Sequence, residues 1–165
     1  MKIVMVVAVV VLCGVLGRGL ANSYVDRKKF FIELRVFVLQ LKSDINFSMK
    51  KLILIIDEVR SNTRSKIFER LLSNYKQKYL IENVKDNQDL FLGVDILSES
   101  EMAILSDFFM NLGKTDVFNQ NEMINNFLKR VEEFNVGAKT DSDKYCPLYT
   151  KLGILVGLFV ALIVV

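Results

Sequence analysis

Apolar residues in the middle of the chain recur at steps of three and four, which is the spacing of one face of an α-helix. Alternating strand patterns are absent, and so are Asn-Gly and Asp-Gly turns. The sequence therefore predicts helices with one buried face, and the continuous apolar stretch at 52–56 is expected to be buried on more than one side. The predicted stripes are Phe30, Leu34, Phe37, Leu41 and Ile45; Ile67, Phe68, Leu71, Leu72 and Tyr75; and Met102, Leu105, Phe108, Phe109 and Leu112.

Helix boundary signals surround the last of these stripes. In the stretch SESE, Ser98 is expected to cap a helix, and Glu101 to reach back to the Ser98 amide as in a capping box. Gly113 is expected to end that helix, and Thr115 or Asp116 to cap the next one. The apolar face of this next helix is predicted to be Phe118, Ile124, Leu128 and Val131.

The two ends of the chain carry a different pattern. Residues 3–17 and 152–165 hold no charge at all, whereas the middle is rich in charged residues. A transmembrane helix needs roughly 20 residues, and each run reaches that length if Arg18 and Lys151 extend their charged groups to the membrane surface. We therefore expect transmembrane helices at 1–22 and 146–165.

A cleaved signal peptide is the alternative for the first run, with GLA at 19–21 as the cleavage site. Arg18 lies where that site is normally uncharged, which favours a retained helix. Basic residues cluster on the inner sides of both runs, and such clusters mark the cytoplasmic side of a membrane. The middle segment is therefore expected to be cytoplasmic, with both termini on the opposite face.

These patterns together predict an all-α protein. A cytoplasmic helical bundle of about five or six helices, at 23–145, is expected between the N-terminal and the C-terminal transmembrane helix. Periodicity is poor at 85–98, so no helix boundary is predicted there.

Charge is shared unequally between the two halves of the middle segment. The half at 27–78 has thirteen basic and five acidic residues, and the half at 79–151 has seven basic and thirteen acidic. The halves can be neighbours in one bundle with complementary solvated faces. Alternatively, the basic half contacts anionic lipid headgroups or an acidic partner protein.

Catalytic chemistry finds little support in the sequence. The chain has no histidine, which removes the commonest general base and most metal-ligand clusters. Gly113, Lys114 and Thr115 resemble the end of a phosphate-binding loop, but Phe108 occupies the position of the first glycine. The adjacent carboxylates at 57–58 and 132–133 would point about 100° apart on a helix. We expect no enzyme activity, no cofactor, no metal and no nucleic-acid partner.

Glycine pairs in the terminal runs predict close helix contacts. Gly153 and Gly157 form a G-x-x-x-G pattern, which lets a second helix approach to backbone distance. Gly14 and Gly17 are three residues apart and share one helix face. The contact can join the two runs of one chain as a hairpin, or it can join subunits of a homo-oligomer. The third interpretation is that the glycines have no packing role.

Three stretches of the chain are distinctive: RKKFFIELRVFVLQLKSDINF at 27–47, FFMNLGKTDVFNQNEMI at 108–124, and YTKLGILVGLFVALIVV at 149–165. In this order and spacing they resemble the stage III sporulation protein AB family of endospore-forming bacteria. The most specific parts are LGKTD, with Gln120 four residues on, and the order Leu-Gly-x-Leu-x-Gly-Leu at 152–158. The resemblance covers nearly the whole chain.

This resemblance implies a non-enzymatic platform or scaffold subunit of the channel between mother cell and forespore. The family's helical domain is similar to domains of the platform protein of type II secretion and type IV pilus systems. The implied location is the mother-cell membrane, and the implied partners are membrane lipid, a cytoplasmic secretion-type ATPase and other stage III sporulation membrane proteins. A regulatory or receptor-like membrane protein that relays a signal is the alternative function.

The LGKTD corner has two interpretations within this family assignment. In the first, Leu112 packs, Gly113 ends one helix and Asp116 caps the next, and no partner is needed. In the second, Lys114, Asp116 and Gln120 are exposed and form a contact site for the ATPase.

Overall fold

The computed structural model describes residues 2–44, 49–82, 87–114 and 116–164, and this part of the chain contains helices and no strand. The predicted all-α fold class is thereby confirmed. The long first and last helices each hold one of the apolar runs. The elements are α1 (Lys2–Ser43), α2 (Met49–Asn62), α3 (Lys66–Asn74), a π-helical segment (Tyr75–Ile81), α4 (Asn87–Leu90), α5 (Glu99–Asn111) and α6 (Val117–Val164).

The chain forms two compact units. Unit 1 comprises Met1–Lys28 and Val136–Val165, and unit 2 comprises Lys29–Asn135. Unit 1 therefore pairs the first part of α1 with the last part of α6. The predicted three-segment scheme, with boundaries after residues 22 and 145, stays a prediction.

Aromatic rings form the centre of unit 2. Phe37 of α1 contacts Phe68 of α3 and Phe109 of α5, each with ring centroids 6.0 Å apart. Phe109 also packs against Tyr75 at 4.9 Å, and Phe108 stacks on Phe127 of α6 at 3.7 Å. The rings connect α1, α3, α5 and α6 into one core. Burial of this much aromatic surface is a main source of stability for a domain of this size.

Most of the predicted stripe residues are buried in this core. Leu54 is the clearest departure, because it is 67% exposed although Leu52, Ile55 and Ile56 are buried. The stretch at 52–56 is thus buried on one side only, and the prediction of burial on several sides was wrong. Ile45 lies outside the described residues. The confirmed core positions are Phe30, Leu34, Phe37, Leu41, Phe68, Leu71, Leu72, Tyr75, Leu105, Phe108, Phe109 and Leu112.

Helix α5 begins with the predicted capping box. The Glu101 amide donates to Ser98 Oγ at 3.3 Å, and the Ser98 amide donates to Glu101 Oε2 at 2.8 Å. Ser65 caps α3 with a single bond, because its Oγ accepts from the Phe68 amide. Side chains thus satisfy amide groups that a helix N-terminus leaves without intrahelical partners.

The connection before α5 is held by side chains of α3. Asn74 donates to the carbonyl oxygens of Leu90 and Leu92 at 3.2 and 3.1 Å. Arg70 donates to the carbonyl of Gly93, whose φ of 72° is in the left-handed region that favours glycine. These bonds order a stretch that lacks helical periodicity.

Across the described residues, no helix combines the length and the apolar character that crossing a membrane requires. The predicted transmembrane helices at 1–22 and 146–165 are therefore not supported. Their uncharged parts, 15 and 14 residues long, measure about 20 Å as helix, against about 30 Å of hydrocarbon.

Candidate functional site

The corner between α5 and α6 is built in unit 2 from local hydrogen bonds. Leu112 is buried and ends α5, and Gly113 follows with a φ of 77°. The Lys114 amide donates to the Asn111 carbonyl at 3.3 Å. Asn111 in turn donates to the Asp107 carbonyl and carboxylate. The predicted packing of Leu112 and the predicted helix stop at Gly113 are confirmed.

Asp116 caps α6. Its Oδ1 accepts from the Asn119 amide at 3.0 Å, and its Oδ2 accepts from the Asn119 side-chain amide. The Asn119 amide is the main reason why the pKa of Asp116 lies below its usual range, since this bond favours the charged carboxylate. Thr115, the other predicted cap, lies outside the described residues.

The three predicted partner-contact residues are not all at the surface. Lys114 and Asp116 are exposed, but only 3% of Gln120 is accessible. Gln120 precedes Ile124 by one helical turn and therefore lies on the buried face of α6. Its predicted exposure was wrong, and this spacing in the sequence could have shown it.

Phe118 is an exposed residue of the corner that sequence reasoning did not predict. Its side chain is 78% exposed beside Val117, which is 50% exposed, so the prediction that it joins the apolar face of α6 was wrong. Six residues separate it from Ile124, a rotation of about 240° around a helix. The corner thus presents a large aromatic ring close in sequence to the Lys114 ammonium group.

An open groove of about 460 Å³ runs between α5 and α6 in the same unit. Its floor includes the stacked rings of Phe108 and Phe127. Asp107 and Arg130 supply opposite charges at its edges, and Met123 adds a flexible apolar side chain. The exposed surface near the corner is therefore apolar at its base and charged at its margins.

The glycines of unit 1 lie where α1 and α6 approach most closely. A Cβ atom added to Gly153 would lie 2.8 Å from the Cys13 carbonyl oxygen, and one added to Gly17 would lie 2.7 Å from the Tyr149 carbonyl oxygen. A Cβ atom on Gly157 would lie 3.0 Å from Val10 Cα. These glycines form an intrachain hairpin contact, as one of the predicted alternatives has it.

Gly14 does not take part in this contact. A Cβ atom on Gly14 would meet nothing within 4 Å, so its predicted packing role is not supported by the hairpin. Residues Leu16, Leu20, Leu152 and Val156 border an open, almost wholly apolar groove of about 230 Å³ along the glycine contact.

Aromatic rings and ion pairs continue the contact of unit 1. Tyr24 stacks with Tyr145 and Tyr149, with centroids 5.3 and 5.7 Å apart, and a hydrogen bond with Tyr149 raises the pKa of Tyr24. Arg27 then pairs with Asp141 at 3.0 Å. Lys28 pairs with Asp143 at 3.2 Å in the same region.

The family model for stage III sporulation protein AB matches residues 2–165. The chain belongs to the stage III sporulation protein AB family. Membership makes it a sporulation-related protein. No curated protein and no solved structure matches the chain. In the described part of this family member, no group of three or more histidine, cysteine, aspartate or glutamate side chains is placed to hold a metal ion.

Proposed function

We propose that this family member is a non-enzymatic structural subunit of a membrane assembly used in sporulation, and that its helical unit 2 presents a docking surface to a secretion-type ATPase. The observation that carries the proposal is the exposed corner at Lys114 and Phe118, held by helix caps on an aromatic core. The ATPase and the channel platform role come from the family resemblance.

The corner has the properties of a protein contact site. Phe118 offers a large apolar ring, and Lys114 offers a positive charge a few residues away. Aromatic anchors next to charged margins are typical of the energetic centres of protein interfaces. The Asp116 cap orders the start of α6 beside Phe118, and the buried Leu112 orders the end of α5, so these two helix ends have little order to gain when a partner binds.

The outer faces of the two helices of unit 1 support the proposed attachment to a membrane. Large apolar side chains are exposed on both helices, whereas the contact between the helices uses glycine. An apolar surface of this extent marks contact with lipid or with another protein. The exposed residues include Val11, Leu12, Val15, Leu16 and Leu20 on α1 and Leu148, Leu152, Ile154, Leu155, Val156, Leu158, Phe159 and Leu162 on α6.

We propose the mother-cell membrane as the location, with unit 2 on the cytoplasmic side. Other stage III sporulation membrane proteins, or further copies of this chain, are the expected lateral partners of the apolar faces. Attachment is tested by centrifugation of a detergent-free lysate, followed by carbonate extraction of the pellet. Recovery of the intact chain in the supernatant would contradict it. The side of the membrane that holds the C-terminus stays a prediction, which a topology reporter fused after Val165 tests.

The docking proposal is tested with the full chain in lipid nanodiscs and the purified ATPase. Lys114→Glu combined with Phe118→Ser is expected to weaken binding at least tenfold, because it reverses the charge and removes the aromatic anchor. Lys129→Glu is the matched control, since Lys129 is also exposed on α6. Equal affinities of the double variant and the control, with unchanged melting temperatures, would contradict the corner as docking site.

A further inference from the structure

Two cationic side chains lie at the same level of the unit 1 hairpin. Gly17 lies opposite Tyr149 and Gly153, so Arg18 and Lys151 are level with each other on the two antiparallel helices. Both side chains are exposed. On one side of this level the exposed surface is apolar. It is formed by residues around Val15 on α1 and by residues from Leu152 onward on α6.

The tyrosine cluster and a third cation lie on the other side of this level. Tyr24 and Tyr145 stack at 5.3 Å, and the exposed Lys144 lies 5.1 Å from the Tyr145 ring centroid. Six residues from Arg18 to Tyr24 correspond to about 9 Å along a helix. We call the whole group the collar: Arg18, Tyr24, Lys144, Tyr145, Tyr149 and Lys151.

The collar has positive charges and no negative ones. Arg18 is the sole charged residue in 3–25, and Lys144 and Lys151 are the sole charged residues in 144–165. Asp141 and Asp143, which precede Lys144 on α6, pair with Arg27 and Lys28. An apolar protein surface bordered by tyrosines and by cations without matching anions is typical of the level at which a protein meets the membrane surface, where aromatic rings and cations contact the headgroups.

We propose that the collar binds anionic phospholipid headgroups and thereby sets the depth of unit 1 in the bilayer. This inference rests on the proposed membrane attachment and adds the class of lipid. The cations are complementary to a phosphodiester without a compensating ammonium group, such as phosphatidylglycerol. The apolar side chains beyond the collar occupy the hydrocarbon, and the ion pairs at 27–28 lie in water.

The chain has no tryptophan, so Tyr145→Trp introduces a single reporter in the collar. The full chain with this substitution is reconstituted in vesicles of phosphatidylglycerol and phosphatidylcholine, with one of the two lipids brominated in its acyl chains. Quenching by each brominated lipid measures which lipid surrounds the collar. We expect phosphatidylglycerol to be enriched severalfold around the reporter, and the enrichment to decrease in high salt.

Arg18→Gln with Lys151→Gln is expected to remove most of the enrichment, because each charge removed lowers the preference for anionic lipid by up to about fivefold. Lys129→Gln with Lys139→Gln removes two exposed charges outside the collar and is expected to leave it unchanged. Equal quenching by both lipids in the unsubstituted background, or enrichment that persists without Arg18 and Lys151, would overturn the collar proposal alone. Absence of quenching by either lipid, with vesicles that float free of protein, would overturn membrane attachment itself.

Discussion

The two units of this protein use opposite ways of packing. In unit 2 the helices meet through large buried rings, such as Phe109, which contacts three other aromatic side chains. In unit 1 they meet where side chains are missing, at Gly17, Gly153 and Gly157. Most of the charged residues belong to unit 2, and the large exposed apolar side chains are concentrated in unit 1.

This difference shows what each unit needs from its surroundings. Burial of aromatic surface stabilises a fold in water, because water is the alternative environment for the rings. Two helices that meet at glycines bring their backbones close together and are stabilised by van der Waals attraction rather than by the burial of apolar side chains. This attraction also stabilises the helix pair where the surroundings are themselves apolar. The packing of unit 1 thus agrees with the proposed lipid environment, and that of unit 2 with an aqueous one.

Removal of a central ring of unit 2 should have the largest effect. Phe109→Ala is expected to destabilise unit 2 by about 3–5 kcal/mol, because it leaves a cavity among three aromatic neighbours. Hydrogen exchange of the peptides of unit 2, in the full chain in mild detergent, measures this loss. Phe118→Ala is the control and should change stability by less than about 0.5 kcal/mol. A similar loss in both variants would contradict the aromatic core described above.

The glycine contact predicts an intermediate effect. Gly153→Ala places a methyl group 2.8 Å from the Cys13 carbonyl oxygen and should destabilise the helix pair by about 1–3 kcal/mol. Gly14→Ala meets nothing within 4 Å, so the better helix propensity of alanine should stabilise α1 by about 1 kcal/mol. Hydrogen exchange of peptides from 8–17 and 152–160 measures both. We expect Gly153→Ala to lower stability and Gly14→Ala to raise it. Stability changes of the same sign in both variants would show that the hairpin contact is not formed.

The buried phenol of Tyr75 predicts sensitivity of unit 2 to alkaline pH. Desolvation by burial is the main cause that raises the pKa of Tyr75 above its ordinary value near 10. Below pH 10 the phenol is neutral in both states and this group does not affect stability. Above pH 10 the unfolded chain loses the proton first, so the unfolding equilibrium constant should rise about tenfold per pH unit. Urea titrations at pH 10, 11 and 12 measure the slope, and Tyr75→Phe should make it shallower.

The smallest effect is expected at the exposed cap of α6. Asp116→Ala removes two hydrogen bonds from Asn119 and should lower the melting temperature by about 2–4 °C. Asp116→Asn keeps an acceptor oxygen and should lose less. Since the folded pKa of Asp116 is depressed, its contribution is present above the unfolded pKa and is lost as pH falls through the lower folded pKa. A melting temperature of Asp116→Ala that equals the parent at pH 7 would contradict the cap.

Local signals in the sequence were sufficient for much of unit 2. The capping box at Ser98 and the helix stop at Gly113 depend on neighbours within a few residues, so the chain order alone identifies them. Most of the predicted stripe residues are buried for the same reason. The predicted faces of Phe118 and Gln120 on α6 were wrong. The angles of these two residues around the helix axis, measured from the buried Ile124, place Gln120 on the buried face and Phe118 away from it.

Contacts distant in the sequence could not be predicted in this way. The sequence showed that Gly153 and Gly157 favour a close helix contact, but it did not show that Gly17 rather than Gly14 lies opposite them. The stacking of Tyr24 on Tyr145 and the pairing of Arg27 with Asp141 also depend on the register between two helices. That register follows from many side-chain contacts together, and no local pattern contains it.

The sequence by itself determined the helical class, the family and the separation of apolar ends from a charged middle, because each depends on residue type and short-range spacing. The tertiary structure alone decided which aromatic rings meet, which glycines touch backbone, and that Arg18 and Lys151 lie level with each other. Those features require two segments more than a hundred residues apart to meet in one register, and packing of whole helix faces selects that register.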